Sequence, residues 1–325
     1  MSGFGRRGLL LAGVGVLAGC SASSGGQASG TSVPSGTGSS AGTPSTPSPS
    51  GPSSSTPTPS TPTPSGPSSS APSSGPASGT PREIVLPRVR SWAPGPGEIE
   101  PAAKRAAVAA VVELVRPRDT RGVVEVIDAQ YGGILSDTAS VLVPCRVFTL
   151  ADSQVATGGT TVDVRLTKTR GTWRVTAMHP AQPGKATTQL SPAARQVLNN
   201  ARIALPPASA ADIRSGQVHQ SVLAAMLELA QTYRIGVSVI RSGHPINVFG
   251  TDRPSDHPRG RAFDTWQIDG RAVVDPGTPR SLVTAYMRAT EALGSYNVGG
   301  PYQLSGPAYF SDRTHHDHIH AGFRA

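Results

Sequence analysis

Near its N-terminus this chain carries a long stretch without a single charged residue. Between Ser21 and Thr80 the sequence consists almost entirely of Ser, Pro, Gly, Thr and Ala, and it contains no Asp, Glu, Lys or Arg. Such a composition offers too little apolar surface to offset the conformational entropy lost on ordering. Folded structure is therefore expected in the remainder, about 240 residues, which is enough for two small hydrophobic cores.

The residues before this stretch have the pattern of an export signal. Arg6 and Arg7 precede an apolar run from Leu9 to Ala18, which is too short to span a membrane but is typical of a signal peptide. The run ends in small residues followed by Cys20, whose thiol can accept an acyl chain. This segment resembles the bacterial lipoprotein signal, and the resemblance implies that Cys20 is lipidated and becomes the mature N-terminus. An ordinary secretory signal that happens to contain a cysteine is the alternative.

We therefore expect a signal peptide over residues 1–20 and a disordered tether over residues 21–81. The Pro-Thr-Pro-Ser repeats of the tether favour extended polyproline-like geometry. A tether of this kind would let a folded domain reach into the wall from a lipid anchor. The predicted location is the outer face of the cell membrane, with the membrane contacted only through the lipid.

The chain is basic, with 29 Lys and Arg against 20 Asp and Glu and a formal charge of +9. Without Arg6 and Arg7 of the leader the balance is 27 against 20, about +7. This excess favours anionic surroundings such as wall polymers or lipid headgroups. Nucleic acid is not expected as a partner, because the sequence has no dense Lys/Arg run and no alternation of basic and aromatic residues.

Residues 82–185 predict a small α+β module, with one helix on an antiparallel sheet of about four strands. A helix is predicted over 101–115, because valines recur there at helical spacing. Cys145 lies in an apolar segment and is expected to be a buried structural thiol, and no intramolecular disulfide is available if Cys20 is acylated. We find no catalytic constellation in this module, so its role stays open between a spacer and a binding unit.

Residues 190–325 predict a second α+β domain. Apolar spacing and capping residues indicate helices over 191–201, 218–233 and about 282–293. Strands are predicted over 235–240, 262–268 and 317–323.

The residues that carry chemistry in this domain fall in two clusters. The first, from Ser255 to Asp264, reads Ser-Asp-His-Pro-Arg-Gly-Arg-Ala-Phe-Asp, and the second, from His315 to His320, reads His-His-Asp-His-Ile-His. Zinc prefers imidazole nitrogen and carboxylate oxygen, and a catalytic zinc keeps three protein ligands and one open position. Five of the eight histidines of the chain lie between His257 and His320, which favours a metal site over separate surface histidines.

The spacing within the clusters suggests how they could meet. His257 and Asp264 offer two ligands from a loop and the strand behind it. His318 and His320 share one face of an extended tail, so at least one of them can point at the same metal. In a regular strand Asp317 would point away from both, so a bulge or a bent strand end is needed to bring it to the site.

The pattern Ser-x-His-x-x-Gly-x-Ala-x-Asp followed by His-x-Asp-His-x-His resembles the zinc D-Ala-D-Ala carboxypeptidases of the lysostaphin, D-Ala-D-Ala peptidase and hedgehog group. The resemblance covers about residues 215–325 and implies a domain with an antiparallel sheet. It implies that Zn²⁺ is held by His257, Asp264 and His320.

The same resemblance implies roles for four further residues. Asp317 would be the general base, and His318 would stabilise the developing oxyanion. Arg241 would position the substrate or polarise its carbonyl, and His315 would support the site from its edge.

The function expected from these features is zinc-dependent hydrolysis of peptide bonds in peptidoglycan stem peptides, by a D,D-carboxypeptidase or an endopeptidase. Two alternatives stay open. The chain could be a non-catalytic lipoprotein that binds wall peptides and keeps the fold and the metal, or its zinc could be structural, with His318 as a fourth ligand.

Overall fold

The computed structural model describes residues 84–118, 121–151 and 154–324. The predicted signal peptide, the lipidation site at Cys20 and the predicted tether lie outside these residues. The described residues belong to one compact unit. Among the described residues no helix is both long enough and apolar enough to cross a bilayer.

The first part of this unit is an antiparallel sheet of five strands covered by one helix, in agreement with the predicted helix-on-sheet arrangement. The strand order is β1-β3-β4-β5, and β2 pairs with the other half of β3. The elements are α1 Pro101–Val115, β1 Gly122–Val126, β2 Gln130–Ile134, β3 Thr138–Ala151, β4 Gln154–Thr169 and β5 Thr172–Pro180.

Helix α1 contacts the sheet through small side chains. Ala103, Ala107 and Val111 are fully buried, whereas the other valines that predict the helix are only partly buried. The same helix also buries Lys104 completely. A buried ammonium is stable only beside compensating charge, so Lys104 must have acidic neighbours. Cys145 on β3 is buried and unoxidised, as predicted, and burial raises the pKa of its thiol.

The second part combines a mixed sheet with four helices. Its strand order is β11-β10-β12-β8-β7-β6, and β9 is paired with β8. All neighbours are antiparallel except β10 with β11 and β6 with β7. The helices are α2 Pro192–Asn199, α3 Pro207–Arg214, α4 Gln220–Thr232 and α5 Arg280–Ala292, and the strands are β6 Ile203–Ala204, β7 Ile235–Val239, β8 Ala262–Ile268, β9 Arg271–Ala272, β10 Asn297–Gly299, β11 Tyr309–Phe310 and β12 Ile319–Gly322.

Each part has its own hydrophobic core, one beneath α1 and one between the mixed sheet and its helices. Strand β8 begins and ends at the predicted residues, and Ser191 caps α2 by accepting a hydrogen bond from the Ala194 N–H. Helix α3 was not predicted, because its short sequence has few apolar side chains to set a period and it buries only Ala208 and Ile213 as apolar residues.

Candidate metal centre

Strand pairing brings two of the predicted metal ligands together. Asp264 on β8 and His320 on β12 are direct partners across the antiparallel sheet. Side chains of such partners emerge on the same face within about 5.5 Å of each other.

The third predicted ligand, His257, comes from a short 3₁₀ turn just before β8. Gly260 ends this turn with a φ of 70°, in the left-handed region that favours glycine. A β-carbon at Gly260 would lie 2.0 Å from the carbonyl oxygen of Gln217, so a larger residue would displace the turn. Glycine is thus required at this position of the motif for steric reasons. The turn that it permits directs His257 toward Asp264.

The donor atoms of these three side chains form a nearly equilateral triangle. His257 Nε2 lies 3.1 Å from Asp264 Oδ1 and 3.1 Å from His320 Nδ1, and His320 Nδ1 lies 3.0 Å from Asp264 Oδ1. Zinc bonds of about 2.0–2.1 Å meeting at the tetrahedral angle place ligand atoms about 3.3 Å apart. The triangle therefore needs to expand only slightly to hold such an ion.

The protons available in the triangle also favour a cation. His257 Nδ1 lies 2.8 Å from the carbonyl oxygen of Ile240, so we assign the proton of neutral His257 to Nδ1 and a lone pair to Nε2. Burial disfavours the charge on Asp264, but the imidazoles of His257 and His318 outweigh it and hold the pKa of this carboxyl well below its usual range. When His257 is neutral, its Nε2 lone pair faces the carboxylate at 3.1 Å, and a cation between the two atoms, either a proton or a metal ion, stabilises that arrangement.

His320 is suited to be the third ligand of this ion. Burial is the main reason that the pKa of His320 is lowered to about 4, so its imidazole is neutral at pH 7, as a metal ligand must be. Its Nδ1 is close to both other donor atoms.

His244 is a further candidate ligand that the sequence analysis missed. Its ligand atom lies within 4.8 Å of those of His257 and Asp264, and its ring stacks on the His257 ring with centroids 4.1 Å apart. Burial first, and His257 second, lower its pKa well below the usual value. We rank His320 above it, because Nδ1 of His320 lies 3.1 Å from His257 Nε2 and 3.0 Å from Asp264 Oδ1, whereas the ligand atom of His244 is placed only within 4.8 Å of the ligand atoms of those two residues. The only signal in the sequence was its position just after the end of β7.

Asp317 occupies a different place from the one expected of a base beside the metal. Its Oδ1 accepts a hydrogen bond from Nδ1 of His318 at 2.6 Å. Its Oδ2 lies 2.6 Å from Nζ of Lys104 and accepts the backbone N–H of Tyr131 at 3.0 Å. Burial opposes ionisation, but Lys104 and then His318 hold the pKa of Asp317 well below its usual range. Both oxygens are engaged, so Asp317 orients His318 rather than facing the triangle.

His318 is the side chain that Asp317 directs toward the ligands. Its Nε2 lies 3.7 Å from Oδ2 of Asp264. Burial disfavours the imidazolium, but the carboxylates of Asp264 and Asp317 outweigh burial and raise the pKa of His318. The expected bend of the chain occurs before β12, because Thr314–His316 form a 3₁₀ turn and Asp317 keeps a helical φ of −108° and ψ of −5°.

His315 lies at the edge of the site. Its Nδ1 is 2.7 Å from Oδ1 of Asp312, and its ring centroid is 5.0 Å from that of His318 and 5.7 Å from that of His320. Burial raises and His315 lowers the pKa of Asp312, and the net value is about 2. His315 thus belongs to a second carboxylate–imidazole pair at the mouth of the site.

Arg241 is not brought to the other predicted residues. Its Nη1 lies 3.5 Å from Oδ1 of Asp212 and donates to the carbonyl of Pro183 at 3.3 Å. Asp212 is fully buried and also accepts the backbone N–H groups of Arg241 and Ser242, so it fixes both the backbone and the side chain of the arginine. Arg241 does not line the cavity over the triangle.

A cavity of about 920 Å³ opens over the triangle. Its walls come from both parts of the unit, with Tyr131–Leu135 on one side and the segments around residues 244–259 and 307–315 on the other. Arg253 and Arg313 supply positive charge to its lining. A second cavity of about 590 Å³ adjoins it, and the two have Phe249 and three other lining residues in common.

A second cluster of candidate ligands, Glu98, His316 and Asp317, is not a vacant metal site. The ammonium of Lys104 contacts both carboxylates, and Nε2 of His316 accepts the backbone N–H of Ile99 at 3.3 Å. The positive charge of Lys104 stands where an ion would be bound.

Comparisons of the chain with protein-family models, with curated proteins and with solved structures gave no match. The functional interpretation therefore depends on the geometry of the site and on the sequence motifs.

Proposed function

We propose that the chain is a zinc-dependent hydrolase that cleaves peptide bonds in peptidoglycan stem peptides. The observation that carries this proposal is the triangle of His257 Nε2, Asp264 Oδ1 and His320 Nδ1, with sides of 3.0–3.1 Å, at the floor of a large cavity. Two imidazoles, one carboxylate and one side open to the cavity are the ligand set of a catalytic rather than a structural zinc. Zinc held there supplies Lewis acidity to a scissile carbonyl and to the attacking water.

His318 is the proton carrier in this mechanism. Its Nδ1–H is held by Asp317, which leaves Nε2, 3.7 Å from Oδ2 of Asp264, as the ring atom that can exchange a proton in the cavity that His318 lines. Because the pKa of His318 is raised, only its neutral form, whose population grows with pH, can take a proton at Nε2 from the attacking water and return it to the leaving amine. Asp317 stays ionised beside Lys104, keeps the tautomer and orientation of His318, and stabilises its imidazolium. The resemblance assigned the base to Asp317; the hydrogen bonds favour His318.

The substrate class follows from the shape and charge of the cavity. Stem peptides carry carboxylates, which Arg253 and Arg313 are placed to attract. A carboxypeptidase needs a cation for the terminal carboxylate of its substrate, and Arg241 does not serve this purpose because its guanidinium is bound to Asp212. The adjoining second cavity leaves room for peptide on both sides of the scissile bond, which favours an endopeptidase. Anchoring of the enzyme through a lipid on Cys20 remains a proposal from the sequence.

One observation favours a second function. Asp317 is neutralised by Lys104 and cannot approach a water at the triangle without breaking that pair. If His318 does not carry protons, the chain is a lipoprotein that binds wall peptides without cleaving them.

Metal content and peptide release distinguish these functions. The full chain is incubated with purified peptidoglycan, with and without zinc, and the soluble peptides are identified by mass spectrometry. We expect about one zinc per chain and release that His257→Ala and His318→Ala abolish, the second without loss of zinc. His219→Ala is the control and should behave as the parent protein, because His219 lines neither cavity and, among the described residues, its side chain is hydrogen-bonded only to the hydroxyl of Ser221.

Each other result selects an alternative. Zinc binding with saturable retention of stem peptides but no product supports the binder. Loss of folded structure on chelation, without any effect of wall peptides, supports a structural zinc. A chain without zinc refutes the metal site.

A further inference from the structure

Gln130 connects the first sheet to the metal centre. It is the first residue of β2 and is fully buried. Its Nε2 donates to Oδ2 of Asp264 at 2.6 Å, across 134 positions of sequence. This is the oxygen of Asp264 that does not belong to the triangle. Oδ1 of Asp264 is therefore available to the metal, while Oδ2 is bound by Gln130.

The orientation of the Gln130 amide is itself fixed. The hydroxyl of Ser238 on β7 donates to Oε1 of Gln130, and the same hydroxyl lies 3.3 Å from the backbone oxygen of Asp264. Because Oε1 accepts from a hydroxyl, Nε2 must face Asp264. Ser238 reaches this position because the pairing of β7 with β8 shifts register around it. Ser238, Gln130 and Asp264 thus form a buried relay of hydrogen bonds.

The first sheet and its helix also hold the opposite side of the site. Lys104 on α1 and the N–H of Tyr131 on β2 bind Oδ2 of Asp317, whose other oxygen orients His318. Ion pairs buried this deeply seldom add net stability, so their position at a site is better explained by the geometry that they impose. Residues 84–180 therefore contact a metal ligand on one side and the partner of His318 on the other.

We propose that the module of residues 84–180 is a structural part of the metal centre and that Gln130 is a positioning residue for the ligand Asp264. The inference depends on the proposed metal site, because it assigns a role toward that ion. Partners of this kind hold a ligand at the right angle and limit its freedom, and their loss costs about 10–100-fold in metal affinity. The module is then neither a spacer nor a separate binding unit.

The test measures zinc affinity of the full chain by competition with a chromophoric chelator. Gln130→Met keeps the length and approximate volume of the side chain but removes the donor. We expect the dissociation constant for zinc to rise about 10–100-fold. Ser140→Ala is a matched control, because Ser140 is also fully buried in the first sheet and donates at 2.6 Å to a carboxylate, that of Asp163, away from the triangle. Its zinc affinity should stay within about 3-fold of the parent.

A second variant guards against a general loss of structure. Ser238→Ala removes only the hydroxyl that orients Gln130, and we expect a smaller rise, about 3–10-fold. Because Ser238 acts through Gln130, the double variant should bind zinc no more weakly than Gln130→Met alone. The absorption spectrum of the cobalt-substituted protein should change in both single variants, which a loss of stability alone would not produce.

The outcomes separate this inference from the proposed function. A parent protein with no zinc overturns both. A parent that binds zinc, with Gln130→Met unchanged in affinity and in cobalt spectrum, overturns the role of Gln130 and leaves the metal site standing. Equal losses in Gln130→Met and Ser140→Ala also overturn it, because the effect would then be one of packing. Additive losses in the double variant refute the relay through Ser238.

Discussion

The site contains two carboxylate–imidazole pairs of the same chemistry in opposite surroundings. In the inner pair Asp317 binds Nδ1 of His318 at 2.6 Å, and in the outer pair Asp312 binds Nδ1 of His315 at 2.7 Å. The inner side chains are each 2 % exposed, whereas the side chain of Asp312 is 49 % exposed. The inner pair also has a third member, the buried ammonium of Lys104.

The comparison shows that burial changes what the same carboxylate–imidazole hydrogen bond does. At the inner pair there is no water to compete, so charge and orientation are fixed by Lys104 and by the protein backbone. At the outer pair solvent screens the interaction, and exposed ion pairs contribute little. This difference supports the proposal that His318 transfers protons and that His315 has a supporting role at the cavity mouth.

The largest effect is expected from breaking the inner pair. Asp317→Asn keeps the shape of the side chain but removes the charge that holds His318, so peptide release should fall about 10²–10⁴-fold, the usual contribution of acid–base catalysis. Initial rates on purified peptidoglycan, with zinc content measured in the same samples, check this result. Zinc content should be unchanged, because Asp317 is not a ligand. A loss of zinc equal to the loss of rate would contradict the assignment.

A second large effect is expected from Lys104. Lys104→Met leaves Asp317 and Glu98 buried without their cation, and removing one partner of a buried pair costs about 3–5 kcal/mol of unfolding free energy. Urea denaturation of the metal-free protein measures this cost. Lys168→Met on β4 is the matched control, since the pair of Lys168 with Glu100 is partly exposed and should contribute less than about 1 kcal/mol. Equal costs would mean that the inner pair is no different from a surface pair.

The metal-ligand set and helix α1 could be predicted from the sequence. The motifs placed His257, Asp264 and His320 in one set, and the structure brings their donor atoms together, because local signals such as the turn at Gly260 and the strand over 262–268 determine where these side chains point. The helix α1 was also predicted to the residue.

The partners of the site could not be predicted in this way. Lys104 and Gln130 lie 213 and 134 positions from the carboxylates that they contact. A lysine within a valine-rich helix looks like a solvent-exposed residue, and no periodicity shows that its side chain is buried against another sheet. The contacts of Asp317 could not be predicted for the same reason, since a base and an orienting carboxylate have the same local sequence. Arg241 does not reach the position predicted for it, because its side chain is bound by a buried carboxylate, Asp212, on α3. That helix was not predicted from the sequence.

A smaller effect is expected in the dependence of stability on pH. The pKa of Asp317 is lowered in the folded protein, so its contribution is complete above its unfolded value of about 3.9 and is lost as pH falls through the folded value. Asp317→Asn should therefore reduce the loss of unfolding free energy between about pH 5 and pH 2, measured by urea denaturation without metal. Asp312→Asn should act in the same direction but more weakly, because the folded pKa of Asp312 is about 2 and its charge is half exposed. A larger effect of Asp312→Asn would reverse the ranking of the two pairs.

The smallest effect is expected from breaking the outer pair. Asp312→Asn removes a screened charge and leaves two backbone N–H groups, those of Thr314 and His315, with an amide oxygen that can still accept them. His315 keeps its place against Phe310, whose ring centroid is 4.7 Å away. We expect kcat for a soluble stem peptide to fall by less than about 3-fold. Any larger change should be in KM, because a side chain at the cavity mouth affects substrate binding more than the chemical step. Steady-state kinetics beside Asp317→Asn give the comparison directly. If Asp312→Asn lowered kcat as much as Asp317→Asn, burial would not be what distinguishes the pairs, and His315 would share the proton transfer with His318.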